Sequence, residues 1–365
     1  MKICHLTSVH KQHDVRIFLK ECSSLAKYHQ THLIVVNGHD EVKNNVTIHG
    51  LKVDFSSRLQ RFTKAVRETY KKALEINADV YHLHDPELLR IAIKLKKKGK
   101  KVIYDAHEDL PRQILSKPYI HKKISIIIAY LIEKYENKIV RKLDAIVGAT
   151  PHITKRFKNI NEKTFNINNY PLLEEIELNK SETINDKKNI CYVGGITKIR
   201  GIHNVIDALS EVNDINLFLA GEFSSKAYKN EIKSKKGWDK VTELGFISRT
   251  KSKNIKNECF AGIVTFLPEE NHINAQPNKI FEYMSSGLCV IGSNFKLWKE
   301  IIEGNEVGIC VDPENSNEIK NAIINLAQNP KLVQKMGANG IKAIKEIYNW
   351  SIEEKKLLHL YENLR

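Results

Sequence analysis

Between Asn274 and Gly287 the chain reads Asn-Ala-Gln-Pro-Asn-Lys-Ile-Phe-Glu-Tyr-Met-Ser-Ser-Gly, flanked by two short apolar runs. Pro277 suits the first turn of a helix, where a missing N–H costs nothing, with Asn278 and Lys279 beside it. Ile280, Phe281 and Met284 repeat at helical spacing, and Gly287 closes the helix in the left-handed conformation. Asn274 and Gln276 therefore fall in a loop feeding a helix N-terminus, where free backbone N–H groups and the positive dipole end attract anions. Glu282 lies about one and a half turns further on. A carboxylate there can accept two ribose hydroxyls while phosphates and a hexose occupy the helix tip. The chemistry is that of a nucleotide-sugar pocket.

A second constellation is Cys191-Tyr192-Val193-Gly194-Gly195-Ile196-Thr197-Lys198-Ile199-Arg200-Gly201, a strand, a glycine turn and a helix start. Gly194 and Gly195 let a phosphate approach the backbone, and a cation at the far end of the turn can neutralise a pyrophosphate. Tight turning alone explains the two glycines equally well. Gly221-Glu222 and Glu243-Leu244-Gly245-Phe246-Ile247 are further strand-to-loop junctions of the same kind.

In the first half, polar residues follow strand-like runs at three places. Ser8 and His10 follow Lys2 to Thr7, with Arg16 opening the next helix; His84-Asp85 follow Val80 to Leu83; His107-Glu108 follow Val102 to Tyr104. Strand ends at the switch point of an open α/β sheet are where ligands bind. His82, His84 and Asp85 miss the one-loop zinc pattern, because Asp85 comes one place early and no second histidine follows it. No metal is expected there. The chain also lacks any Asp-x-Asp to hold a divalent ion on a diphosphate, so leaving-group charge falls to Arg200, helix N-termini and lysines.

The elements that position these residues alternate strand and amphipathic helix through both halves, the pattern of two doubly wound α/β domains. In the first half the strands are Lys2–Thr7, His32–Val36, Val80–Leu83, Val102–Tyr104 and Ala145–Ala149, with a short segment Val46–Phe55 after the second. A helix capped by Asp14 presents Val15, Phe18, Leu19, Cys22, Leu25 and Ala26. Further helices run over about 59–76 and 121–142, and another starts at Thr150-Pro151. In the second half strands are expected at 190–193, 215–220, 241–244, 261–266, 288–291 and 307–311, with three closing helices at 316–328, 330–347 and 351–363. The polar stretch 169–188 reads as a linker.

With 365 residues, 42% hydrophobic and 28% charged, the chain has room for more than one core. Six scattered cysteines form no Cys-x-x-Cys pair and suit burial in a reducing cytoplasm. Met1 to Leu6 reads as a strand rather than a signal peptide. The most apolar run, 124–132, is too short to cross a bilayer. Residues 1–180 carry 33 Lys and Arg against 20 Asp and Glu, whereas residues 181–365 carry 25 against 23. The basic half is either a lysine-rich solvated surface or a face that rests on an anionic membrane or a polyphosphate-linked acceptor. No nucleic-acid motif accompanies it.

The segment Pro277 to Gly287, with Leu288-Cys289-Val290-Ile291 behind it, resembles the donor site of family 4 glycosyltransferases, which have the GT-B fold. The resemblance implies two Rossmann-like domains facing across a cleft: an acceptor-side domain at 1–168, the linker at 169–188, a nucleotide-sugar domain at 189–346, and a helix at 347–365 crossing back to the first domain. In that family two glutamates eight positions apart meet the donor hexose and the ribose. Glu282 matches the second, but Asn274 stands at the first and brings no charge. Arg200 takes the place of the family's pyrophosphate lysine, while Gly195 sits where its arginine would be. Lys198 or Lys279 would then supply the second cation.

By the same resemblance Gly245 and Phe246 lie against the nucleobase, and the Ser8–His10 loop, His84 and Asp85 line the cleft. Arg16 would reach a phosphate. His107 is the leading catalytic candidate beside Asn274, and Glu108 would orient its ring. The implied activity is retaining, metal-independent and cofactor-free transfer of a hexose from a nucleotide diphosphate sugar to a glycan or lipid-linked acceptor. Surface polysaccharide synthesis, in the cytoplasm or on the inner membrane face, would be its setting. A nucleotide-sugar epimerase of the same fold and a non-catalytic sugar-nucleotide-binding subunit are the alternatives. A dinucleotide oxidoreductase would need Gly-x-Gly-x-x-Gly, which Gly194-Gly195 does not provide.

Overall fold

The computed structural model describes residues 1–57, 60–115, 120–176 and 187–364. They form two compact units, Met1–Asn169 with Trp350–Arg365, and Tyr170–Asn349. Of the expected linker, residues 177–186 lie outside the described residues, as does Leu59 at the expected helix start. Tyr170 belongs to the second unit, its ring packed 4.9 Å from Phe281 and 5.3 Å from Tyr348.

The first unit is built on eight strands: β1 Lys2–Thr7, β2 Gln30–Val36, β3 Glu41–Lys43, β4 Val46–Leu51, β5 Val80–Leu83, β6 Lys101–Ala106, β7 Ala145–Gly148 and β8 Thr164–Asn166. Their order is β3-β4-β2-β1-β5-β6-β7-β8. All pair in parallel except β3, which forms a hairpin with β4. Asn44 and Asn45, both at positive φ, make its two-residue turn, the conformation that matches strand twist. The sheet order reverses between β1 and β5. The loops that follow β1, β5 and β6 therefore emerge side by side at one edge, and these carry Ser8, His84 and His107.

The segment Val15–Cys22 is a wide helix rather than an α-helix. Asp14 caps it as expected, its carboxylate accepting from Arg16 N and Ile17 N at 2.9 Å. Leu19 N reaches Asp14 O, an i→i+5 bond at 3.2 Å. The wider turn rotates the buried face away from the one expected. Arg16, Lys20 and Glu21 join Ile17, Phe18 and Cys22 inside, while Val15 and Leu19 are only half-buried. Trp350–Glu362 also belongs to this unit. Trp350 Nε1 donates to Ser24 Oγ at 3.0 Å, Glu353 accepts from Asn168 N at 2.8 Å, and the Tyr361 hydroxyl lies 2.8 Å from His82 Nδ1.

The second unit has six parallel strands: β9 Asn189–Val193, β10 Asn216–Ala220, β11 Val241–Gly245, β12 Ala261–Val264, β13 Cys289–Ser293 and β14 Gly308–Val311. The order β11-β10-β9-β12-β13-β14 reverses between β9 and β12. Helices cover both faces, so the strands are near-continuous apolar runs. The helix Asn278–Ser285 buries Ile280, Phe281, Tyr283 and Met284 against this sheet, and Gly287 follows at φ 65°. Fully buried Trp298 donates from Nε1 to the Ala275 carbonyl at 2.8 Å, pinning the loop between Asn274 and Gln276.

Candidate active site

In the second unit the glycine turn after β9 is shaped by close approach. Gly194 has φ 146°, and a Cβ there would meet Lys279 Nζ at 2.5 Å, so the lysine stem lies directly on the turn's backbone. Gly221, at φ 142°, stands where any side chain would overlap the Gly194 carbonyl. The Tyr192 hydroxyl donates to Gly195 O at 2.8 Å, and the Tyr283 hydroxyl accepts from Val193 N at 3.2 Å. Arg200 stacks 4.1 Å above the Phe266 ring. Burial, and after it the Arg200 charge, push the Lys279 ammonium down to about 8. Among the described residues neither cation has an ion-pair partner. Two such cations beside a glycine turn form a receptor for a polyanion.

Lys198, the other candidate for the second cation, is exposed and lies 3.7 Å from Glu231. Lys279 is the one placed against the turn. Asn274 ends the short helix Glu270–Ile273, which sequence reasoning missed, and is exposed. Gln276 is half-buried, and its Oε1 has no hydrogen-bond donor among the described residues. Asn278 and Glu282 are exposed on the helix that starts beside them. Gly245 and Phe246 line a groove of about 310 Å³ with Gly221, Glu222 and Phe223. Phe246 is 82% exposed, an unusual setting for a phenyl ring unless a flat partner covers it.

The first unit holds a buried polar cluster where β1, β5 and β6 end. Asp85 accepts from Ser8 N at 2.6 Å and from Thr7 Oγ1 at 2.8 Å, and pairs with His10 Nδ1 at 3.0 Å. Burial opposes ionisation of Asp85, but His10 and these donors outweigh it and hold the carboxyl at about 2. Burial likewise opposes the His10 imidazolium, yet Asp85 raises it above the ordinary histidine range. Ser8 and His10 also border a groove of about 430 Å³ with Gln12, His13, Gly38 and His39.

Three expectations change here. Arg16 does not face a ligand: it is buried, grips Asp105 through Nε at 3.1 Å and Nη2 at 2.9 Å, and donates from Nη1 to Ile167 O at 3.0 Å. His84 is fully buried rather than lining an opening, with Nδ1 3.2 Å from Asp105 and Nε2 2.8 Å from His5 Nδ1. Glu108 is exposed, hydrogen-bonds Gln113 and does not orient His107. Asp105 does so instead, 2.9 Å from His107 Nε2. Burial disfavours the Asp105 carboxylate, but Arg16 and the His107 and His84 contacts hold it well below the usual range. His107 keeps part of its ring exposed. Asp105 and Glu21 escaped sequence reasoning, although a charged residue inside a strand of apolar neighbours was a readable signal in Val102-Ile103-Tyr104-Asp105-Ala106.

Two doubly wound units, one with a glycine turn backed by two cations, define a GT-B-type α/β protein. The model described as "Glycosyl transferases group 1" matches residues 174–343, and "Glycosyltransferase Family 4" matches residues 9–164. The chain belongs to glycosyltransferase family 4. It is 23% identical over 295 residues to an uncharacterized glycosyltransferase of Methanocaldococcus jannaschii, covering 75% of this chain and 71% of that one. Sucrose-phosphate synthase from Thermosynechococcus elongatus shares the fold at TM-score 0.80 and 14% identity, over 100% of this chain and 98% of that one. HepE of Anabaena, solved with UDP-glucose, does so at TM-score 0.73 and 16% identity, over 100% of both chains.

Proposed function

We propose that this glycosyltransferase moves a hexose from a uridine diphosphate sugar to a glycan or lipid-linked acceptor, with retention and without a metal on the diphosphate. The observation that carries the reading is the pair Arg200 and Lys279, without ion-pair partners among the described residues, with Lys279 lying on Gly194 and near enough to Arg200 to feel its charge. Two fixed cations at the pyrophosphate do the work that a divalent ion does elsewhere, stabilising charge as it develops on the leaving group. Glu282 holds the ribose, Phe246 and Gly245 the base, and Asn274 and Gln276 the hexose. His107, fixed by Asp105, is the catalytic candidate that the first unit contributes. The UDP and UDP-glucose complexes of HepE support uridine as the base.

Titration calorimetry tests the donor reading. A diphosphate binds the protonated form of Lys279, whose own value in the free protein is about 8. Above that pH the nucleotide must also draw a proton onto the amine. UDP affinity is expected to hold steady from about pH 7 to 8, then fall by up to tenfold per pH unit, about 1.4 kcal/mol. Uridine, lacking the diphosphate, should bind far more weakly and show no such slope. Equal binding of both, or a flat UDP profile, would sink the reading.

Membrane contact is the second part of the proposal. No helix among the described residues is long and apolar enough to cross a membrane. The helix Lys122–Val140 nevertheless exposes Ile124, Ile126, Ile127, Tyr130 and Leu131 beside Lys122, Lys123 and Lys134. Apolar residues flanked by lysines suit the boundary of an anionic bilayer, where each basic residue contributes about 1 kcal/mol. Co-sedimentation with vesicles containing phosphatidylserine is expected, and Ile127→Asp with Leu131→Asp should abolish it. Equal pelleting of that variant would place the contact elsewhere.

A further inference from the structure

Beneath the first unit's strand ends, His5 on β1, Glu21 on the wide helix, His82 on β5 and His84 just beyond it converge in a space closed to solvent. One nitrogen or oxygen from each lies within 4.8 Å of all the others. His5 Nδ1 and His84 Nε2 are 2.8 Å apart, and each is 3.9 Å from Glu21 Oε2. Four ligands about 2.0–2.1 Å from a tetrahedral ion stand about 3.3 Å apart, midway between those separations. No donor among the described residues hydrogen-bonds either Glu21 oxygen, and His82 Nε2 is likewise unpartnered. Arg16 already serves the Oε1 edge of Glu21, but leaving Oε2 and a buried imidazole without partners is costly unless a further cation joins them.

The outer partners are arranged as metal ligands require. The other ring nitrogen of each histidine is already held. His84 Nδ1 faces Asp105 at 3.2 Å, His82 Nδ1 faces the Tyr361 hydroxyl at 2.8 Å, and His5 Nε2 faces the same hydroxyl at 3.3 Å. Asp105 is fixed in turn by Arg16, which also stands 3.1 Å from the second Glu21 oxygen. A carboxylate behind one histidine and a hydroxyl behind two fix the rings with a lone pair turned inward.

We propose that His5, Glu21, His82 and His84 form a structural site for a divalent transition ion of the zinc class, separate from sugar transfer. Three imidazoles and one carboxylate close a tetrahedron with no open position, so the ion holds β1, β5 and the wide helix together rather than activating water. On binding, His5 carries its one ring proton on Nε2, where the Tyr361 hydroxyl oxygen accepts it, so that Nδ1 is free for the ion, and Glu21 binds ionised, releasing any carboxyl proton to solvent. Being sealed, the site fills as the unit folds.

The test uses the untagged full chain, unfolded in chelator and refolded with or without zinc chloride, then dialysed and analysed by plasma mass spectrometry. About one zinc per folded chain is expected, with a melting temperature higher by more than about 5 °C than that of the zinc-free refold. Glu21→Gln and His82→Gln should each lower the zinc content to below about a fifth, while the surface variant His13→Ala with His39→Ala retains it. Wild-type chain that folds equally well without metal overturns the proposal. So does zinc retained by the two ligand variants or lost by the surface one. Should the ligand variants fail to fold, the wild-type zinc content and melting shift decide alone.

Discussion

Replacing Arg16 by methionine is expected to lower stability by about 3–5 kcal/mol at pH 7, the cost of stranding a buried charge. Methionine keeps most of the stem's bulk, so the loss is electrostatic. Asp105 would lose its bidentate partner and Glu21 its neighbouring cation, both with side chains 0% exposed. The sign with pH follows from Asp105, whose native carboxyl lies below its unfolded value. That stabilisation is present above about pH 4 and fades as pH falls through the native value. The variant's deficit should therefore hold from neutrality down to about pH 4 and narrow only below it. Urea denaturation at several pH values measures it, and a deficit under about 1 kcal/mol at pH 7 would show that the network carries little.

The second large effect is on turnover. Arg200→Ala combined with Lys279→Ala removes both cations beside the Gly194 turn. Each charged hydrogen bond to a phosphate contributes about 1.5–3 kcal/mol, so kcat/KM for the donor should fall by about 10² to 10⁴. Part of that loss should appear in kcat, because negative charge on the diphosphate grows as the sugar departs. The double variant's melting temperature should stay close to wild type, since neither cation has an ion-pair partner among the described residues to strand. Turnover within a few-fold of wild type would remove these residues from the reaction.

The strands around both switch points were legible because parallel strands covered on both faces must be short apolar runs. The Gly194 turn and the Asn278–Ser285 helix were legible for a different reason: glycine and proline fix backbone shape locally. The β3–β4 hairpin was not read, because its turn depends on Asn44 and Asn45 accepting positive φ without a glycine beside them. Arg16 was misread because an α-helical period of 3.6 turns it toward solvent, and only the i→i+5 winding brings it inward. Lys279 could not be ranked above Lys198 from sequence, since what separates them is the tertiary approach to Gly194. The buried histidines were harder still. His5 and His82 are adjacent through strand register, and no spacing along the chain encodes that pairing.

The helix Trp350–Glu362 completes the first unit with Tyr361 set among the histidines and Glu353 bonded to Asn168. On the ribosome, a domain generally folds once its sequence has emerged. Here the opening 169 residues emerge without the helix that seals their interior, and the whole of the second unit is synthesised before it arrives. The second unit is thus the first that can finish folding, and the earlier-made sheet waits, its imidazoles open to water, for a segment translated some 180 codons later.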